Sequence, residues 1–231
     1  LYAAEGKQGV QAYDAASIAN KGFSQRLITA PFSPLGHRTR IASKDARCVV
    51  LPTNQPIAPW RNDTPMARGA NQEQAMHPIY HYALIADAAE GLILVNVDTL
   101  QDGEPRNNFL TRALTWNERG VLKGARHLAL AGTRAYLVAD AGLVTLNLDN
   151  PLRPVLGSVT TLEKASSVAV QFRYAFVTTA RGLEVLDLTR PGTPVARALL
   201  PLADARRVYV ARTYAYVAAG AEGLVIVDVQ N

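Results

Sequence analysis

The sequence lacks several features that well-defined classes of protein require. Cys48 is its only cysteine, which excludes an internal disulfide, a cysteine-based zinc cluster and a CxxCH haem attachment site within these residues. No apolar run reaches the roughly 18–20 residues that a membrane-spanning helix needs. The net charge is +5, but the basic residues are scattered and form no run of five or more. We therefore expect no transmembrane segment and no nucleic-acid partner.

Familiar catalytic and metal-binding motifs are missing as well. The sequence has no HExxH pair, GxSxG elbow, phosphate-binding P-loop or GxGxxG loop. His77 and His81 have the spacing of two metal ligands on one helix face, but Pro78 and the strand-like run from Tyr82 argue against a helix there. We therefore expect no catalytic residues, no metal and no cofactor, and a protein that is not an enzyme.

A glycine followed by an apolar strand recurs along the chain, and the last three glycines are 40 and 41 residues apart. The glycine allows a positive φ in a hairpin turn. The leucine and β-branched residues suit a strand that is buried on both faces. The Asp or Asn near the end of the copy starts the next turn. The copies are Gly9–Asp14, which is weak, Gly91–Val97, Gly142–Leu148, Gly182–Leu188 and Gly223–Val229.

Three more strands accompany each copy. In one unit they are Ser167–Val170, Tyr174–Thr178 and, after the glycine strand, Val195–Leu199. Four short antiparallel strands in about 40 residues are typical of a β-propeller blade. The sequence therefore predicts an all-β protein, a β-propeller of four-stranded antiparallel blades. About four to five blades are visible, and residues 1–231 form a single propeller domain or part of one.

The copy at 223–229, Gly-Leu-Val-Ile-Val-Asp-Val, closely resembles the LVIVD-repeat family of bacterial β-propellers. The copies ending near 148 and 188 share the pattern, whereas the first copy departs from it at Gln11-Ala12-Tyr13. The resemblance implies a binding or scaffold module of an exported protein assembly, periplasmic or on the cell surface. It also implies a setting in electron transfer, because some such proteins resemble companions of multihaem cytochromes. The alternative is a propeller lyase or hydrolase with its active site at the channel mouth, which rests on fold analogy alone.

The repeats comprise the later strands of one blade, three whole blades and the first three strands of another. A ring could close if the first and last parts completed each other, but we expect part of a longer propeller. One blade also carries about 27 extra residues, because 45 residues separate Ala46 from the hairpin glycine, against 17 or 18 elsewhere. This proline-rich loop, at about 53–80, is expected to project from one face and contact a partner or a neighbouring blade, with Trp60 as its anchor.

Arginines follow the alanine that opens three of the innermost strands. They are Arg47, Arg126 and Arg206, and Ser166 takes this place in the remaining blade. Because equivalent positions of successive blades lie around one end of the central channel, three guanidinium groups there would bind an anionic group or an acidic protein partner. The alternative is that each arginine pairs with a nearby carboxylate, such as Asp87 or Asp140.

Overall fold

The computed structural model describes residues 1–13, 38–53, 57–102, 104 and 106–230, and these form five antiparallel β-sheets. Asp14 of the first repeat copy and Pro56 of the insertion lie outside the described residues. Three sheets have four strands, whereas the first and the last have three. This agrees with the count of three whole blades between two partial ones.

The strands follow one another along the chain in the order in which they pair within each sheet. The first sheet contains β1 (Tyr2–Ala4), β2 (Val10–Ala12) and β3 (Arg40–Ile41). The second contains β4 (Ala46–Val50), β5 (Tyr82–Asp87), β6 (Gly91–Asn96) and β7 (Thr111–Trp116). The third contains β8 (His127–Ala131), β9 (Arg134–Ala139), β10 (Gly142–Asn147) and β11 (Val155–Thr160). The fourth contains β12 (Ser167–Gln171), β13 (Tyr174–Thr179), β14 (Gly182–Asp187) and β15 (Val195–Pro201), and the fifth contains β16 (Arg207–Ala211), β17 (Tyr214–Ala218) and β18 (Leu224–Asp228).

The sheets are arranged as the blades of a β-propeller. In blades two to five the inner strands contact one another in chain order, β4 with β8, β8 with β12 and β12 with β16. The first strand of the partial blade one, β1, contacts β4. Each later strand of a blade lies one step further from the centre. The predicted fold class, an all-β propeller with antiparallel blades, is therefore confirmed. We number the blades one to five in chain order.

The core consists of layers between neighbouring blades. Successive residues of a middle strand point to opposite faces of its sheet, so Ile85 packs toward blade one whereas Leu84 packs toward blade three. Both side chains are fully buried. The same alternation continues with Tyr136 and Leu137 in blade three. This two-sided burial explains why the middle strands have continuous apolar sequences instead of alternating polar ones.

The strand order gives the propeller two different faces. The inner strands β4, β8, β12 and β16 begin on one side, which we call the arginine face, and end on the other, which we call the insertion face. The hairpin turns before β6, β10 and β14 lie on the arginine face, because Ala46 pairs with Asp87 at the start of β4. The connection between β4 and β5 lies on the insertion face.

The described part of the insertion contains regular structure where the sequence predicts a loop. It contains an α-helix, α1 (Pro65–Asn71), which is capped by the Thr64 hydroxyl accepting from the Ala67 amide at 3.1 Å. A 3-10 turn covers Pro78–His81, where the sequence argument expected no helix, because proline is well accommodated at the first position of such a turn.

Among the described residues, no helix combines the length and the apolar character needed to cross a bilayer.

The turn between β12 and β13 holds a strained and exposed aromatic residue. Phe172 has a φ of 51° and is 92% exposed, whereas the equivalent turn of blade three has Gly132 at a φ of 58°. Because a Cβ atom at such a φ costs about 1–2 kcal/mol, Phe172→Gly is expected to raise the free energy of unfolding by about 0.5–1 kcal/mol. Urea denaturation measures this change. The reverse variant, Gly132→Phe, should lower it, and a loss of stability in Phe172→Gly would contradict the strain argument.

Candidate binding site at the channel mouth

A cavity of about 370 Å³ opens where the inner strands meet on the arginine face. Five blades contribute to it, and its lining includes three guanidinium groups but no carboxylate. The lining residues are Ala4, Gly6, Ala46, Arg47, Arg126, Ser166 and Arg207. The structure therefore brings together two of the three predicted arginines, Arg47 and Arg126, with the serine that replaces an arginine in blade four.

Arg126 is held in a fixed position at this mouth. Its Nε donates to the carbonyl of Gly124 at 2.9 Å, and one terminal nitrogen donates to the carbonyl of Ala165 in the next blade at 3.2 Å. The other terminal nitrogen forms an ion pair with Asp140, the carboxylate named in the alternative hypothesis. Three hydrogen bonds in different directions fix the guanidinium plane, so this cation contributes charge at a defined place.

Arg47 reaches the same cavity from an irregular part of blade two. The pairing of β4 with β5 shifts register between Ala46 and Cys48, so Arg47 is the extra residue of a β-bulge. Its guanidinium donates to Asp45 at 2.6 Å. The second carboxylate of the alternative hypothesis, Asp87, does not pair with it; Asp87 accepts backbone amides instead, that of Asp45 at 2.7 Å among them.

The third predicted residue, Arg206, has the expected backbone position but a different side-chain partner. Its amide donates to the carbonyl of Ala218, as those of Arg126 and Ser166 donate to equivalent carbonyls. Its side chain forms an ion pair with Asp204 at 2.6 Å and is not among the cavity lining. The next residue, Arg207, lines the cavity instead.

Arg207 is the residue that the sequence argument missed. Its guanidinium has no hydrogen bond and no ion pair with any residue that the structure describes, although Arg47, Arg126 and Arg206 each have an aspartate partner. The sequence feature that could have identified it is the pair of arginines at 206–207. Only the first of the two follows Asp-Ala, as Arg47 does. The Asp-Ala-Arg pattern at 45–47 and 204–206 predicts the local ion pair and leaves the second arginine free.

A second ring of side chains lies one residue further along the inner strands, and it contains His127. The His127 Nδ1 accepts from the Val168 amide at 3.3 Å, so in the neutral ring the proton is on Nε2. Burial, and then the positive charge of Arg207, lowers the pKa of His127 to about 4. Burial raises the pKa of the Cys48 thiol, and its hydrogen bond to the Leu128 carbonyl and then the charge of Arg207 oppose this. Both groups are therefore uncharged at neutral pH.

Trp60 lies away from the channel mouth, in the insertion on the opposite face. It is part of a 3-10 turn, Pro59–Asn62, and 37% of its surface is exposed. The turn is fixed by the buried Asn62, whose amide donates to Glu73 at 2.6 Å. The end of the insertion contacts the adjoining blade, since the His77 ring is 3.1 Å from the carbonyl of Asp149 and Ile79 is buried in the layer between blades two and three.

The two histidines with metal-ligand spacing have separate partners. His81 Nδ1 lies 2.9 Å from the carboxylate of Asp98, and His77 binds the backbone of Asp149. In the part of the chain that the structure describes, no group of three His, Cys, Asp or Glu side chains is close enough to hold a metal ion.

The arrangement of blades around a central channel defines the protein as a β-propeller. The LVIVD repeat family matches residues 163–196 and 203–231, which correspond to blades four and five, and the chain therefore carries LVIVD repeats. The resemblance noted at 223–229 is confirmed over these two ranges. No curated protein matches the chain.

One similar solved structure is PorZ, described as an essential bacterial surface component of the type-IX secretion system of Porphyromonas gingivalis. The two chains are 16% identical and superpose with a TM-score of 0.52. The likeness covers 99% of this chain but only 23% of PorZ. At this identity the likeness supports the fold and does not transfer a function.

Proposed function

We propose that the protein is a non-catalytic binding or scaffold module of an exported or cell-surface protein assembly, and that it binds an acidic group of a protein partner at the channel mouth. The observation that carries this proposal is the cavity on the arginine face, which is lined by Arg47, Arg126 and Arg207 without a carboxylate. The LVIVD repeats and the fold shared with a bacterial surface component support the setting.

Electrostatics favour an acidic partner at this mouth. Arg47 and Arg126 are largely balanced by Asp45 and Asp140, but Arg207 has no counter-charge in the described residues. An incoming carboxylate would therefore supply the missing counter-charge, and a guanidinium group can bind it through two parallel hydrogen bonds. Since the cavity is open to solvent, salt should weaken the interaction.

Trp60 supplies a second contact in this proposal, on the insertion face. Its partly exposed indole and the Met66 side chain of α1, which is 84% exposed, are two apolar groups of the insertion that a partner would cover. Because the two surfaces are on opposite faces, they would serve different partners or different parts of one assembly.

The structure and the comparisons give no support to a propeller enzyme or to an association with multihaem cytochromes. An enzyme with its active site at the mouth would need groups that transfer protons, and the seven lining residues include neither a histidine nor a carboxylate. The association with multihaem cytochromes rests on the family resemblance alone, and neither the matched repeats nor the description of PorZ refers to haem.

The proposal predicts that partner capture depends on the three arginines at the mouth. The variant with Arg47, Arg126 and Arg207 all changed to Gln should capture its partner from cell-surface extracts at least tenfold less than the wild type. Raising the salt from about 0.05 to about 0.5 M should weaken wild-type capture in the same way, because these charges are exposed. Quantitative mass spectrometry of the captured proteins measures both effects.

The matched control removes three positive charges from the insertion face. Arg153, Arg190 and Arg212 are exposed and have no ion pair among the described residues, so changing all three to Gln alters the net charge equally. This control should capture the mouth partner normally, whereas Trp60→Ala should affect only proteins bound to the insertion face. If both triple variants lose the same captured proteins to the same degree, the net positive charge of the protein explains the binding and the proposal is wrong.

A further inference from the structure

Among the described residues at the channel mouth, Arg207 is a cation without a counter-charge. It comes from blade five, yet it lines the same cavity as Arg47 of blade two and Arg126 of blade three. The other two guanidinium groups are held by hydrogen bonds to Asp45 and Asp140. Arg207 therefore combines access to a shared cavity with free hydrogen-bond donors.

Three uncharged polar residues occupy the positions on the other inner strands that align with Arg207. Cys48, His127, Ser167 and Arg207 occupy successive inner strands, each one residue beyond the alignment of Arg47, Arg126, Ser166 and Arg206. Ser167 is fully buried, and its hydroxyl accepts from the Val208 amide at 3.3 Å. The positive charge of Arg207 acts on the pKa values of both Cys48 and His127, and its side chain lines one cavity with Arg47 of blade two and Arg126 of blade three.

The guanidinium groups that line the mouth are suited to binding a small oxyanion. The neutral His127 ring has its proton on Nε2, because Nδ1 accepts from Val168, so it adds no second charge beneath the mouth. A guanidinium group matches the planar geometry of a carboxylate. Arg207 is exposed, so a carboxylate can reach it from solvent. In the described residues no acidic side chain lines the cavity, so nothing in its lining would repel an anion.

We propose that Arg207 anchors a single carboxylate within the channel mouth, with Arg47 and Arg126 as fixed cations around it. The inference rests on the proposed function in taking the mouth as the binding site, and it adds the ligand class and the residue on which recognition depends. The carboxylate comes either from a free small acid or from an acidic side chain or C-terminus of a protein.

The first test compares two neighbouring arginines. Succinate binding to the purified chain is measured by calorimetry for the wild type, Arg207→Gln and Arg206→Gln, with the neutral succinamide as the ligand control. Arg207→Gln should weaken succinate binding at least tenfold. Arg206→Gln should change it less than twofold, because Arg206 is paired with Asp204 and does not line the cavity. Equal losses in the two variants, or equal binding of succinamide, would overturn the proposal.

The sole cysteine provides a second readout that does not depend on overall affinity. Cys48 belongs to the ring beneath the mouth, so a bound carboxylate should slow its alkylation by iodoacetamide at least threefold in the wild type and not in Arg207→Gln. Unchanged alkylation at saturating succinate would place the ligand elsewhere and refute the site. Thermal unfolding of each variant verifies that it is folded.

The source of the carboxylate is decided by a peptide with one glutamate and a blocked C-terminus, measured against its glutamine form. Tighter binding of this peptide than of succinate assigns the group to a protein, and tighter binding of succinate assigns it to a small acid; both agree with the site. The two proposals can fail separately. Partner capture without any carboxylate binding refutes the inference alone, whereas carboxylate binding without a captured partner refutes the proposed function alone.

Discussion

Replacing Gly142 by alanine is expected to lower the free energy of unfolding by about 2–6 kcal/mol. The glycine begins β10 with a φ of 111°, which residues with a Cβ rarely adopt and which costs about 1–3 kcal/mol. A Cβ added there would lie 2.2 Å from the carbonyl oxygen of Thr160 and 2.7 Å from the amide nitrogen of Leu162. Both contacts are to backbone of the fourth strand or just beyond it, and overpacking of this kind costs about 1–3 kcal/mol more. Urea denaturation measures the sum.

Gly192 provides the matched control, because a Cβ added there has no atom within 4 Å. Gly192→Ala should change the free energy of unfolding by less than about 0.5 kcal/mol. If the two variants were equally stable, the glycine at the hairpin would not be required by its geometry. The explanation of the repeat as a hairpin glycine followed by a close fourth strand would then fail.

Stability should decrease as the pH falls from about 6.5 to about 4, because of His127. Burial and the charge of Arg207 lower the pKa of His127 in the folded protein to about 4, whereas an unfolded chain has the ordinary value of 6.5. The unfolded state therefore binds a proton in this range that the folded state does not. The stabilising contribution is complete above pH 6.5 and is lost as the pH falls toward 4. At 1.36 kcal/mol per pH unit, the loss amounts to about 3 kcal/mol.

The contribution of this one group is isolated by a difference measurement. Urea denaturation of the wild type and of His127→Gln at several pH values gives two curves of stability against pH. The difference between them should have its slope between pH 6.5 and 4 and should be flat above pH 7. A constant difference across that range would show that His127 titrates alike in both states, and that the channel beneath the mouth is wetter than the structure indicates.

The sequence was sufficient for the fold because the repeat encodes it several times. The glycine at 142, 182 and 223 marks the same hairpin in three blades, so an irregularity in one copy does not obscure the others. The insertion follows no repeat, and its helix was missed because α1 is only seven residues long and none of them is buried. A helix without an apolar face has no periodic signal.

For the candidate site, the sequence could predict the backbone positions of the residues but not the directions of their side chains. The repeat places Arg126, Ser166 and Arg206 at equivalent positions, and the same amide hydrogen bond confirms this. The repeat does not determine where a long side chain points. The Arg206 side chain pairs with Asp204, and Arg207 lines the cavity in its place. Arg47 reaches the mouth from a β-bulge, a feature that depends on pairing between strands and has no signal in a single strand.

The apolar layers are shared between neighbouring blades, and this affects how the protein unfolds. In the part of the chain that the structure describes, four such layers join the five blades, so a blade in the middle contributes to two layers and a blade at either end of the series to one. Stability then belongs to the contacts between repeats more than to the repeats themselves, as in a one-dimensional chain of coupled units. A middle blade excised from this series would lose the apolar layers on both of its faces and would have no core of its own.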